Sequence, residues 1–197
     1  MGSLHFYPVQ EREISQIVNK LKNTRSGLHS IPVKIFKHVA KILIPIIKNL
    51  ITQSFRSGIF PDILKIARIT PIHKKGPKTA IENFRPISSL PFLSKIFERC
   101  MANRLIEFFD QTKLISEFQF GFQKGKSTCD ALIKLTETIY QSLNNRQHLI
   151  SILIDLSKAL DTVNRQILLT KMEKYGITNK SLNLFKNYLL NRKNYVK

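Results

Sequence analysis

The chain has 197 residues, with 32 Lys and Arg against 13 Asp and Glu, a formal charge of +19 on a composition that is 43% hydrophobic. A chain of this length ordinarily makes one domain and can bury a core, and its charge selects polyanions as partners, nucleic acid ahead of an anionic membrane surface. Its longest strongly apolar stretch, residues 42–51, is broken by Lys48 and Asn49 and falls short of the roughly 20 residues a span needs, so neither a membrane span nor a membrane partner is expected. The opening MGSLHFYPVQERE lacks the basic start, apolar run and cleavage site of a secretory signal. Cys100 and Cys129 stand without a His or Cys at ligand spacing, which leaves no disulfide framework or zinc site and points to an intracellular, reduced protein.

The hydrophobic period predicts a first helix over residues 11–22, with Ile14, Ile17, Val18 and Leu21 on one face, ending towards Ser26 and Gly27. A longer helix follows Ser30 as N-cap, with Pro32 in its first turn and a kink expected at Pro45. It carries Ile35, Phe36, Val39, Ile42, Leu43, Ile46, Ile47 and Leu50 at helical spacing. After a break at residues 58–61, residues 66–70 read as a short strand running into the most basic loop of the chain, IHKKGPKTAIENFRPIS. Residues 93–109 are again helical, with Ile96, Phe97, Met101, Leu105 and Phe108 in a stripe, and residues 132–143 make another helix behind Ser127 and Thr128. These stripes are expected to be core. Residues 149–154 form a nearly continuous apolar run that reads as a buried strand ending at Asp155. Helices follow over residues 165–175 and 180–190, and the chain then halts at NYVK with no turn or cap to close it.

Asp155 is the first candidate for chemistry, because a rigid strand can hold its carboxylate where it binds a hard cation such as Mg²⁺. Nucleotidyl transfer uses two metal ions bridged by at least two acidic side chains, and Asp161 is the nearest further carboxylate, with a helix-capping role as its alternative. The five histidines are scattered and read as structural or solvated.

Three ordered blocks, FRPISSLPFLSKIFERCMANRL, QFGFQKGKSTCDAL and ILIDLSKALDTVNRQILLTKMEKYGI, resemble the reverse transcriptases of non-LTR retrotransposons, especially the jockey-like LINE group. The opening EISQIVNKLKNTRSGLHSIPVKIFKH, the segment RSGIFPDILKIARITPIHKKG and the closing FKNYLLNRKNYVK look like that family too. The resemblance implies an α+β right-hand polymerase, here helix-rich fingers plus the first part of the palm sheet, cut before the second catalytic carboxylate motif. It implies an N-terminal helical part over residues 1–64, fingers over 65–148 and the start of a palm over 149–197. Asp155 matches the first catalytic aspartate, a ligand to Mg²⁺ (or Mn²⁺). Lys74, Lys75 and Arg85 match basic positions that meet the incoming triphosphate, against a plain solvated loop as the alternative. Gly121, Phe122, Gly125, Lys126 and Ser127 match the block associated with the template strand, while Ser127 also reads as a helix cap.

Partners implied by the resemblance are an RNA template, a DNA primer and deoxynucleoside triphosphates, with nuclear action on chromosomal DNA; oligomeric state is left open. Three positions depart from the family pattern: His29 replaces Asp, Gln123 replaces Arg, and Leu160 replaces an aromatic beside the nucleotide sugar. No YADD or FADD occurs, so this chain by itself is expected to be inactive. The rival reading is a non-catalytic nucleic-acid-binding remnant, and a weaker third is a group II intron or retron relative.

Overall fold

The computed structural model describes residues 2–23, 31–156 and 159–196, which form two compact units: Met1–Phe108 with Arg165–Lys197, and Phe109–Asn164. The element order is α1 (Glu11–Lys20), α2 (Val33–Ser57), β1 (Ile66–His73), β2 (Phe84–Ser89), α3 (Phe92–Thr112), α4 (Thr128–Asn144), α5 (Arg165–Lys174), α6 (Asn179–Leu189) and β3 (Lys193–Val196). This is an α+β arrangement with one small mixed sheet. Strand β1 is central, antiparallel to β2 and parallel to β3.

The first unit is organised by apolar stripes that meet. Helix α1 places Glu11 and Glu13 in its first turn and Lys20 in its last, the order its dipole favours, and buries Ile14 and Val18. Helix α2 buries Phe36, Ile44, Ile47, Ile51 and Phe55, and Phe36 stacks against Phe92 of α3 with ring centroids 4.4 Å apart. Phe60 packs edge-on against Phe97 and Tyr188. The N-terminal segment is tied to the turn between α5 and α6: the Leu4 amide donates to the Gly176 carbonyl at 3.1 Å, and the Ser181 hydroxyl donates to the Leu4 carbonyl at 2.7 Å. Residues distant in sequence thus close one core.

Several expectations from sequence are corrected. The basic loop is a β-hairpin: Ile72 and His73 belong to β1 and residues 84–88 to β2, with Thr70 opposite Ile87 and Ile72 opposite Arg85. The chain's end is not loose, because residues 193–196 form β3 and pair with residues 66–69 of β1. Helix α1 stops at Lys20; Ser26, Gly27, His29 and the proposed cap Ser30 lie outside the described residues. Helix α2 spans Val33–Ser57 with Pro45 inside it.

The core expectation fails for three stripes. On α2, Ile35, Val39, Ile42, Ile46 and Leu50 are exposed, because the helix is apolar around most of its circumference and its contacts with α1, α3 and α6 leave these residues uncovered. Helix α4 buries none of its residues. Residues 149–154 are not a buried strand: they carry no regular structure and Ile150, Leu153 and Ile154 are more than 80% exposed. An apolar run becomes a buried strand only when a neighbour supplies a ladder and a covering face, and the described residues supply neither. No helix of the described residues is long and apolar enough to cross a membrane.

Candidate nucleic-acid interface

In the first unit, the β1–β2 hairpin presents Lys74, Lys75 and Arg85, all exposed. Its ladder continues one step past the strands, as the Lys74 amide donates to the Asn83 carbonyl at 2.8 Å. The tip is tied by the contact between an imidazole nitrogen of His73 and the Gly76 carbonyl at 2.8 Å, and by Asn83 Nδ2 donating to the Pro77 carbonyl at 2.8 Å. Gly76 has φ +82°, and a Cβ there would lie 2.7 Å from Asn83 Nδ2, so the left-handed backbone favours glycine and a side chain would displace the Asn83 amide from its bond to Pro77. Arg85 lies opposite Ile72, and Lys74, two residues further along, continues the same sheet face. A guanidinium and an ammonium are therefore held on one face of a braced hairpin, a suitable arrangement for a phosphate group.

In the second unit, residues 116–127 form a turn that is self-tied. The Gln119 amide donates to the Ser116 carbonyl at 3.0 Å, and Gln119 Nε2 to the Gly121 carbonyl at 3.0 Å. Lys126 Nζ donates to the carbonyls of Glu117 and Gln119 and lies 5.0 Å from the Phe120 ring centroid. This lysine braces the turn with most of its donors. Ser127 caps α4 reciprocally: its hydroxyl accepts from the Asp130 amide at 3.3 Å, and its own amide donates to the Asp130 carboxylate at 2.6 Å. Hydrogen bonds from the Ser127 hydroxyl and amide hold the Asp130 carboxyl below the usual carboxylate range. Gly125 takes φ +78°. Gly121 does not need positive φ, and a side chain there would meet only Gln119 Nε2 at 3.6 Å. Phe122 is fully exposed at φ +60°.

A cleft of about 280 Å³ beside this turn is lined by Glu117, Phe118, Phe120, Asp130, Ile133, Lys134 and Glu137. Its three carboxylates, one of them paired with Lys134 at 3.6 Å, make this cleft unsuited to a phosphate group. Asp155, Leu160 and Asp161 are exposed in irregular or turn segments of the same unit. Asp155 offers a hard oxygen donor suited to Mg²⁺ or Mn²⁺. The described residues contain no group of three or more His, Cys, Asp or Glu side chains able to hold a metal ion, so Asp155 stands outside any such cluster among them. The candidate residues thus divide: Lys74, Lys75 and Arg85 belong to the first unit, and the others to the second.

Sequence reasoning missed Arg104, which is buried and bonded to Glu13, Tyr7, Pro8 and Cys100. Its signal was available as a lone cation within the apolar stripe of α3.

The family model described as reverse transcriptase (RNA-dependent DNA polymerase) matches residues 72–197. The chain is 31% identical, over 99% of its length, to the "Probable RNA-directed DNA polymerase from transposon BS" of Drosophila melanogaster, covering 22% of that protein. It is 36% identical, over 59% of its length, to the RNA-directed DNA polymerase from mobile element jockey of the same species, covering 13% of it. A third relative, the "Transposon TX1 uncharacterized 149 kDa protein" of Xenopus laevis, is 24% identical over 86% of this chain and is covered to 13%. The chain therefore spans about a fifth or less of the length of these relatives.

Proposed function

Since the chain belongs to the reverse transcriptase (RNA-dependent DNA polymerase) family, we propose that it forms part of the DNA-synthesising machinery of a non-LTR retrotransposon of the jockey type. In this reading residues 1–64 and 65–148 are the N-terminal helical part and fingers of a right-hand polymerase, and residues 149–197 begin its palm. The complete protein extends a DNA primer on an RNA template with deoxynucleoside triphosphates, and does so in the nucleus when the primer is chromosomal DNA. The observation that carries the reading is the family match over residues 72–197, which contains Lys74, Lys75, Arg85, the turn at residues 121–127 and Asp155 together.

Each residue has a task its chemistry suits. Arg85 and Lys74, with Lys75 beside them, neutralise the triphosphate of the incoming nucleotide from a rigid hairpin. Gly121, Phe122, Gly125, Lys126 and Ser127 form the turn that meets the template, with Lys126 and Ser127 holding its shape. Asp155 supplies one carboxylate towards Mg²⁺ or Mn²⁺, which when bound activates the primer hydroxyl and neutralises the leaving pyrophosphate; the remaining ligands come from outside this chain. Leu160 lies near the nucleotide sugar, where a flat aromatic would discriminate more sharply against a 2′-hydroxyl than a flexible leucine does.

The test is primer extension on an RNA template by a chimera in which this chain replaces its counterpart in the jockey polymerase. Incorporation of deoxynucleotides is expected. A chimera that binds an RNA–DNA hybrid normally yet incorporates nothing would overturn the enzymatic reading in favour of a non-catalytic nucleic-acid-binding module.

A further inference from the structure

We infer that Phe122 is a stacking platform for an unpaired nucleobase of a bound RNA or DNA strand. The inference rests on the nucleic-acid binding proposed above and names a mode of contact within it. Phe122 is 100% exposed, although a phenyl ring in water forgoes the burial that a folded chain ordinarily gives it. Its backbone sits at φ +60°, a region uncommon for a non-glycine residue and unfavourable for one with a bulky side chain. Glycine occurs one residue before it and three after, yet the left-handed position itself carries the ring. Neither packing nor turn geometry explains a phenylalanine there.

The turn beneath the ring is rigid for local reasons. Gln119 bridges to the Ser116 and Gly121 carbonyls, the Lys126 ammonium ties the Glu117 and Gln119 carbonyls, and Ser127 anchors the end of the turn to α4. A ring fixed before binding loses little freedom on contact, which favours recognition of a flat partner. The immediate neighbours decide the partner's class. The residues flanking it in sequence, Gly121, Gln123 and Lys124, are small, polar or cationic, which suits a base with its phosphate better than an apolar protein face. Lys124 is exposed beside it and matches the phosphate that accompanies every base. Stacking is tolerant of sequence because every base has a π-face.

The chain contains no tryptophan, so Phe122→Trp places a single fluorophore at the site. Titrating that variant with single-stranded oligouridine should quench its emission, whereas an abasic strand of equal length and inorganic polyphosphate should not. Phe122→Ala should bind the same oligouridine about tenfold more weakly, within the range of one base–aromatic stack, with its affinity for polyphosphate unchanged. Phe122→Gly should melt no lower than the unsubstituted chain, because it relieves the left-handed backbone and removes no packing. Oligouridine bound, as seen by anisotropy, without quenching would overturn the inference, as would an equal loss of affinity towards polyphosphate. Failure of the unsubstituted chain to bind any strand would instead overturn the nucleic-acid reading beneath it, and this inference with it.

Discussion

Arg104 does more for the fold than any cation near the proposed interface. Nε donates to the Tyr7 carbonyl at 3.0 Å, Nη1 to Glu13 Oε1 at 3.0 Å and the Cys100 carbonyl at 2.9 Å, and Nη2 to the Pro8 carbonyl at 3.3 Å and Glu13 Oε2 at 3.1 Å. Its guanidinium also lies 4.1 Å from the Tyr7 ring centroid. All five donors are used, so α3 is fastened to α1 and the segment before it. Removing the guanidinium takes from Glu13 its charge partner, leaving it the Asn103 amide donor at 3.0 Å, and takes a donor from the Tyr7 and Pro8 carbonyls, so Arg104→Ala should lose about 3–5 kcal/mol in urea unfolding. Arg104→Lys should recover little, because three donors on a point charge cannot replace a five-donor fork; full recovery by lysine would contradict this account. The two thiols provide a second residue-scale test. Burial pushes the Cys100 thiol up to about 12, while Cys129 is exposed. Iodoacetamide at pH 8 should alkylate Cys129 in the folded chain and Cys100 only after denaturant is added, as read by mass spectrometry. Modification of both in the native state would mean that α3 is not packed as described.

At the scale of elements, α4 depends on its cap more than the other helices do. It buries no residue, so packing contributes little and the reciprocal contact of Ser127 and Asp130 carries much of its definition. Ser127→Ala should destabilise α4 by about 1 kcal/mol, seen as faster amide exchange in residues 128–144 with little change elsewhere. The effect has a definite pH sign. Asp130 is held below its ordinary value of 3.8 in the folded state by its bonds to Ser127, so its contribution is complete above the unfolded value and fades as pH falls through the lower, folded one. Protection of α4 should therefore drop on acidification below about pH 4, and that drop should vanish in Asp130→Asn.

The elements also show what a sequence can reveal. Helices were legible because four apolar residues per two turns suffice to mark one. Strand β2 was not, because Pro86 sits within its six residues, and a residue lacking an N–H inside so short a run reads as loop. Strand β3 has only four residues, and its partner, residues 66–69 of β1, is far from it in sequence, beyond the reach of any local pattern. The exposed side of α2 and the bare α4 were misread for the opposite reason: periodicity reports an apolar face, not what covers it. In the candidate site, the Ser127 cap was readable from local chemistry. Asp155 was legible as a candidate from its place after an apolar run, but its role as first catalytic aspartate rests on the resemblance, since one carboxylate in that position has many explanations. The bracing role of Lys126 depends on backbone carbonyls seven and nine residues away and was not readable at all.

For the whole molecule, a charge of +19 on 197 residues should dominate association with nucleic acid. Binding of single strands and of an RNA–DNA hybrid should weaken at least a hundredfold between about 50 and 200 mM salt, as neutralised phosphates release counterions, with slight preference for base sequence. Salt-insensitive binding would argue against a phosphate-led interface. Because that charge accounts for affinity and not for chemistry, the decisive residue is Asp155. The direct measurement is the rate of RNA-templated DNA synthesis by the jockey chimera carrying Asp155→Asn, taken alongside its affinity for the primer–template. A rate lowered by several orders of magnitude with affinity within about twofold is the predicted result, as loss of the carboxylate proposed to bind metal would remove transition-state stabilisation while leaving the phosphate contacts in place. A chimera that polymerises equally well with Asn at this position would contradict the account.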